Sequence, residues 1–189
     1  MTIAETRTWG IHAGALGEID KTFLSKNTPC IAIGWDKLGD LSKIPPDRES
    51  FKEKLVKTYP NSKKGAIPVE AGMLYRFVHE IQNGDIIVYP SKQDKLVHIG
   101  KVKENYEYKP NLEKNYPNFR AVEWLRHIPR TKFSQGALYE IGSALSLFQV
   151  KNYAHEFLAV LSGNKPPETP EEDVRDIHLN ILLLIFLIF

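Results

Sequence analysis

Cysteine is almost missing from this chain: its 189 residues contain one, Cys30. A single thiol excludes an internal disulfide and every zinc site built from several cysteines. Its place in the apolar run Cys30-Ile31-Ala32-Ile33 assigns it to packing rather than reactivity. The six histidines are scattered, with no His-x-x-x-His spacing, so no histidine-based metal site is expected. No Walker A loop and no dinucleotide fingerprint is present, and no cofactor is implied. Excess charge is absent too: the net charge of +2 permits an anionic partner without demanding one. The segment Met1 to Arg7 lacks the apolar stretch of a secretory signal, so a cytoplasmic protein is expected. Long apolar runs are missing until Ile181–Phe189, nine residues at the end of the chain. A spanning helix needs about 20, and extension backwards meets Asn180, His178, Asp176 and Arg175, so a membrane partner is not expected.

What is present suits a globular protein: 42% of residues are hydrophobic and 25% charged, enough for one sizeable core. The domain is expected over residues 1–163. A proline- and acid-rich linker follows over 164–176, and a short apolar tail over 177–189. That tail reads as a buried terminal segment, an aggregation-prone end or the truncated start of an effector domain. Strands are predicted at Thr8–Gly14, Cys30–Asp36, Asp85–Tyr89, Leu96–Lys103 and Phe119–His127. Asp47 caps a predicted helix over Arg48–Thr58 with Phe51 and Leu55 on its buried stripe. Pro68 opens a second, with Ala71, Leu74, Val78 and Ile81 on one face and Asn83-Gly84 as its stop. Two more are predicted after Ser134, to about Leu145, and after Asn152, to about Leu161. Lys37–Pro46 reads as a loop, and Glu104–Asn118 as a partly extended excursion. The sum is an α+β protein, a small sheet or barrel of about five or six strands with inserted helices.

Three strand ends carry aromatics beside glycine or proline: Trp9 before Gly10, Trp35 after Gly34, and Tyr89 before Pro90. Each is followed within three residues by a polar side chain, respectively His12, Asp36 and Ser91. A planar ligand such as a nucleobase needs rings to stack on and a few polar groups to read its edge, and these residue types supply both.

The succession Trp-Gly-Ile-His-Ala-Gly, Ile-Gly-Trp, Asn-Gly-Asp-Ile-Ile-Val-Tyr-Pro-Ser and Val-His-Ile-Gly-Lys-Val resembles the PUA-like superfamily, in particular EVE and YTH-type domains. The tract Phe119–Leu125, then Pro129-Arg130 and Ser134–Leu138, resembles their late strand and short helix. Over Thr8–Leu161 the chain is similar to the N-terminal domain of Mrr-like restriction proteins. The resemblance implies a PUA-like mixed barrel that flips a modified DNA base into an aromatic pocket, within a restriction or antiphage defence system. Trp35 would be a cage ring, His12 and Ala13 would lie on the closing loop, and Tyr89 and Ser91 on the central strand, with Trp9 and Asp36 completing the pocket. Such restriction proteins carry a PD-(D/E)xK nuclease domain after the reader, and this chain stops where that domain would begin. A separate nuclease chain is then an expected partner.

Phosphate contacts are expected from Arg120, Arg126, Arg130 and Lys132, and from Lys63 and Lys64 in a turn. In a regular strand Arg120 and Arg126 share a face. Glu107-Tyr108-Lys109 is a Glu-x-Lys tripeptide of the kind a nuclease uses, but such matches arise by chance in so charged a chain. No catalytic residue is assigned. Two other functions stay open at this level: an RNA-binding module of the same fold, and a small interaction or membrane-associated protein acting through its apolar tail.

Overall fold

The computed structural model describes residues 6–163; the predicted linker and tail lie outside the described residues. Among the described residues there are seven strands: β1 Thr8–Ile11, β2 Cys30–Ile33, β3 Ile86–Pro90, β4 Leu96–Val102, β5 Glu107–Tyr108, β6 Asn118–Pro129 and β7 Leu147–Gln149. They run β2-β6-β4-β3-β1-β7, with the two-residue β5 also paired to β6. Only β1 and β3 are parallel; the other pairs are antiparallel. The six strands of the main path curl into a half-barrel, so the α+β class of a small mixed sheet with inserted helices follows the expectation; β5 is a seventh strand off that path.

Packing explains the order. β3 reads Ile-Ile-Val-Tyr-Pro and is buried at every position, which a strand tolerates only where both faces are covered. Ile87 and Tyr89 face one core, with Phe23 of helix α1 (Asp20–Phe23), Phe51 and Leu55 of α2 (Arg48–Thr58) and Leu74 of α3 (Ala66–Tyr75). Ile86 and Val88 face the other, with Ala137 of α4 (Gln135–Ile141) and Phe157 of α5 (Ala154–Leu161). Each large side chain buried this way contributes about 1.5–3 kcal/mol. Cys30 is buried, its thiol directed at the Thr22 carbonyl at 3.4 Å, and burial pushes its pKa up to about 12. The reactive thiolate is therefore suppressed at neutral pH.

Local chemistry matches the sequence in α2, where the Asp47 carboxylate accepts the Ser50 amide at 2.8 Å. α3 starts two residues before Pro68 and keeps that proline in its first turn, where the missing N–H had no intrahelical partner. It runs into a π-helical turn, Arg76–Glu80, and the inward position passes to Phe77 while Val78 is only half-buried. α4 stops at Gly142, short of Leu145, because Leu147–Gln149 leaves to form β7 against β1. Asn152 does not cap α5; the Glu140 carboxylate instead accepts the amides of Lys151, Asn152 and Tyr153. Among the described residues no helix is long and apolar enough to cross a membrane.

Arg120 requires a correction. It is 2% exposed, and its guanidinium donates to the carbonyls of Phe77 at 2.7 Å, Val78 at 2.9 Å and Glu104 at 3.2 Å. It closes the C-terminal end of the π turn and is not available to a phosphate. It does not share a face with the exposed Arg126 either. Ile99 pairs with Arg126 and Gly100 with Trp124, so Leu125 is an inserted bulge residue that reverses the alternation. The bulge sits opposite a glycine for a reason: a Cβ on Gly100 would lie 2.7 Å from the Trp124 ring.

Candidate ligand cleft

β1 and β2 deliver the first wall. Past Ile11, the His12 amide donates to the Ser146 carbonyl at 3.0 Å, and its ring Nε2 lies 2.8 Å from the Ser143 carbonyl. A carbonyl only accepts, so Nε2 carries the proton and Nδ1 is a bare acceptor, buried and without a partner. Burial, then the charges of Lys92 and Arg130, lower the His12 pKa against the raising effect of the Ser143 carbonyl, which favours the neutral ring.

Past Ile33, the Gly34 carbonyl is held by the buried Asn118 amide at 2.7 Å, and Asn118 in turn accepts the Tyr106 hydroxyl at 2.8 Å. The next residue, Trp35, sits at φ +58°, in the left-handed region, which a bulky side chain adopts only under constraint. Its carbonyl accepts the Leu38 amide, and its indole N–H donates to Glu70 at 3.2 Å. The turn thereby presents the indole beside Tyr59 and Tyr116.

Two lobes result. One, of about 410 Å³, is walled by Trp35, Tyr59, Tyr116, Asp36 and His12. The other, of about 560 Å³, is lined by His12, Lys92, Arg130, Gln135 and Ser143. His12, Gly14, Ala15 and Ser146 belong to both, so the lobes form one cleft. No carboxylate lines the second lobe, and neither of its cations makes an ion pair among the described residues. The Arg130 Nε is buried without a partner.

Of the residues expected to form the pocket, Trp35, His12 and Asp36 meet in the aromatic lobe. Trp9, Tyr89, Ser91 and Ala13 do not. Trp9 is core, its indole N–H donating to Asp85 at 2.8 Å. Tyr89 and Ser91 are buried and donate to Asp20 at 2.5 and 2.6 Å, which turns them away from the cleft. Ala13 is in the loop itself but buried, and it lines neither lobe. A strand-end aromatic does not disclose which face it occupies, and both faces of β3 are covered. Of the expected phosphate contacts, Arg130 lines the cationic lobe; Arg126, Lys132, Lys63 and Lys64 are exposed and line neither lobe. Tyr59, Tyr116 and Lys92 were not foreseen. For the two tyrosines the signal was the dipeptide Tyr-Pro at 59–60 and 116–117, at turns, but Tyr89-Pro90 carries the same dipeptide inside β3, so it does not discriminate; Lys92 had no local signal.

A second groove, of about 1060 Å³, lies across β6, lined by Trp124, His127, Lys109 and Glu107 among others. Glu107 and Lys109 pair with each other at 3.1 Å. At its margin the Asp94 carboxylate meets His98 Nε2 at 3.0 Å, and His98 Nδ1 meets His127 Nδ1 at 2.6 Å. His98 is buried, and desolvation lowers its pKa against the raising effect of Asp94. A histidine held neutral in the fold is stabilising above its unfolded pKa near 6.5 and is penalised below it, because only the unfolded chain then binds the proton. Unfolding free energy is therefore expected to fall as pH drops from 7 to 5, by at most about 1.4 kcal/mol per pH unit for each such histidine. Urea melts of the wild type and His98→Gln check this: the variant should show the shallower pH dependence, and equal slopes would remove His98 as the cause.

No curated protein and no solved structure matches the chain. A family model does, over residues 9–149, a span that contains every wall of the two-lobed cleft, from His12 to Ser146. On that match across most of its length, the chain belongs to the family described as Domain of unknown function (DUF8426).

Proposed function

We propose that the cleft reads a modified base flipped out of DNA, in the manner of PUA-like, EVE and YTH-type domains, as the recognition part of a restriction or defence system. One observation carries this reading: an aromatic lobe the size of a small-ligand site opens directly into a lobe with two cations and no carboxylate. A nucleotide has that division, a flat apolar ring joined to an anion. In this reading Trp35, Tyr59 and Tyr116 stack on the base, while Lys92 and Arg130 hold the adjoining phosphate. The bare His12 Nδ1 and the exposed Asp36 carboxylate are both acceptors, which suits the exocyclic amine of cytosine or adenine. In this reading the described domain supplies recognition, and cleavage belongs to a nuclease that acts with it.

The test is a binding array of duplexes carrying different modified cytosines and adenines, with the unmodified duplex and the matching RNA alongside. Preference for one modified duplex supports the reading; equal binding of all duplexes, or preference for RNA, overturns it. The double variant Lys92→Gln/Arg130→Gln separates positioning from readout. It is expected to weaken modified and unmodified duplex by similar factors, and to reduce the salt slope by about two, since each lost phosphate contact removes roughly 0.9. A variant that loses only the preference, with its slope intact, would show that these cations act on the base.

A further inference from the structure

We propose that Leu16 is a wedge that enters the base stack of the duplex where the modified base has left it; this rests on the base-reading of the cleft. Leu16 is 75% exposed, the most exposed large hydrophobic side chain among the described residues. It stands at the tip of the loop from β1 to α1, beside Ala15, which lines both lobes, so it is at the cleft mouth. An apolar side chain on a slack loop would fold back onto the surface. This loop is not slack.

Gly14 and Gly17, on either side of the tip, both adopt φ +81°, a conformation that favours glycine. The Glu18 carboxylate accepts the Leu16 amide at 3.0 Å. Lys92 Nζ donates to the Ala15 carbonyl, and Gln93 Nε2 lies 3.5 Å from the carbonyls of Leu16 and Gly17. The loop also rests on the aromatic wall, since a Cβ on Gly14 would lie 2.7 Å from the Tyr116 hydroxyl. The backbone is thus tied from both sides; Ile19, at the foot of the loop, is buried in the core, while Leu16 at its tip points into solvent. Proteins that open DNA use such side chains to fill a base step and offset the cost of unstacking. The wedge acts only on a duplex, because a single strand has no paired stack to hold open.

Leu16→Ala and Leu16→Phe change an exposed side chain, so both should fold as the wild type does. Each is titrated against modified duplex, unmodified duplex and the modified single strand, with 2-aminopurine beside the modified base as a reporter of unstacking. Leu16→Ala is expected to bind modified duplex roughly tenfold more weakly, a change of about 1.4 kcal/mol, with single-strand affinity unchanged and the 2-aminopurine signal reduced. Leu16→Phe should restore duplex binding. Wild-type preference for modified DNA with Leu16→Ala unchanged on every substrate overturns the wedge alone, as does an equal loss on duplex and single strand. A wild type with no preference for modified DNA in either form overturns the base-reading and the wedge together.

Discussion

Trp35→Ala is expected to abolish the preference for modified duplex and to leave the fold standing. A base stacked on one aromatic side chain is worth about 1–3 kcal/mol, which corresponds to roughly a 5- to 150-fold loss of affinity. The backbone argues that this ring is held in place for a purpose. The left-handed conformation costs a non-glycine residue about 1–2 kcal/mol, and here it persists because Asn118 holds the Gly34 carbonyl and Leu38 holds that of Trp35. Those backbone contacts survive truncation to alanine, so the turn should survive as well. The variant loses the packing of a half-buried ring and its bond to Glu70, and its melting temperature should drop by only a few degrees. Trp35→Phe keeps a stacking face without the indole N–H and should recover part of the preference. Fluorescence anisotropy on modified and unmodified duplexes, beside thermal melts of all three proteins, reads both effects. An unfolded Trp35→Ala, or one that binds as the wild type does, would place Trp35 in the core and remove the cleft's aromatic wall.

The fold was legible in the sequence wherever one short rule decided it. The Asp47 cap with Phe51 and Leu55 gave α2 to the residue, and the apolar run Ile86–Tyr89 marked β3 as a strand, though not that both of its faces are covered. The site was legible only in part. Trp35, Asp36 and His12 sit where a strand has ended and the side chain is released to the cleft. Trp9 and Tyr89 carry the same local pattern but lie within the sheet, where one core takes both, and Ser91, just past the end of β3, is buried too. Their polar atoms turn inward to Asp85 and Asp20, two buried carboxylates that no local pattern connects to them. Lys92 and Tyr116 enter the cleft from segments about 80 and 100 residues beyond His12, and a partnership at that range is set by strand order. β7 was hidden because three residues are too few to show a period.

Arg120 and Arg126 make the sharpest test of how far alternation along a strand can be trusted. Both belong to β6, and one inserted residue at Leu125 sends the first into the core and the second into solvent. Arg120→Met removes the buried charge, leaves the buried carbonyl of Phe77 without this donor, and takes a donor from the partly buried carbonyls of Val78 and Glu104. Stranding buried polar groups in this way costs about 3–5 kcal/mol, a large part of the 5–15 kcal/mol that holds a typical domain together. Its melting temperature is expected to fall by roughly 10 °C or more. Arg120→Lys keeps the charge but replaces a planar fork with a single ammonium, which cannot reach three carbonyls on two segments, so it should lie between the variant and the wild type. Arg126→Met, at an exposed site whose guanidinium touches only the neighbouring Leu125 carbonyl, should stay within about 0.5 kcal/mol of the wild type. Denaturant melts of the four proteins settle the order. If Arg120→Met is as stable as Arg126→Met, the guanidinium does not close the π turn, and Arg120 returns to the surface as a candidate phosphate contact.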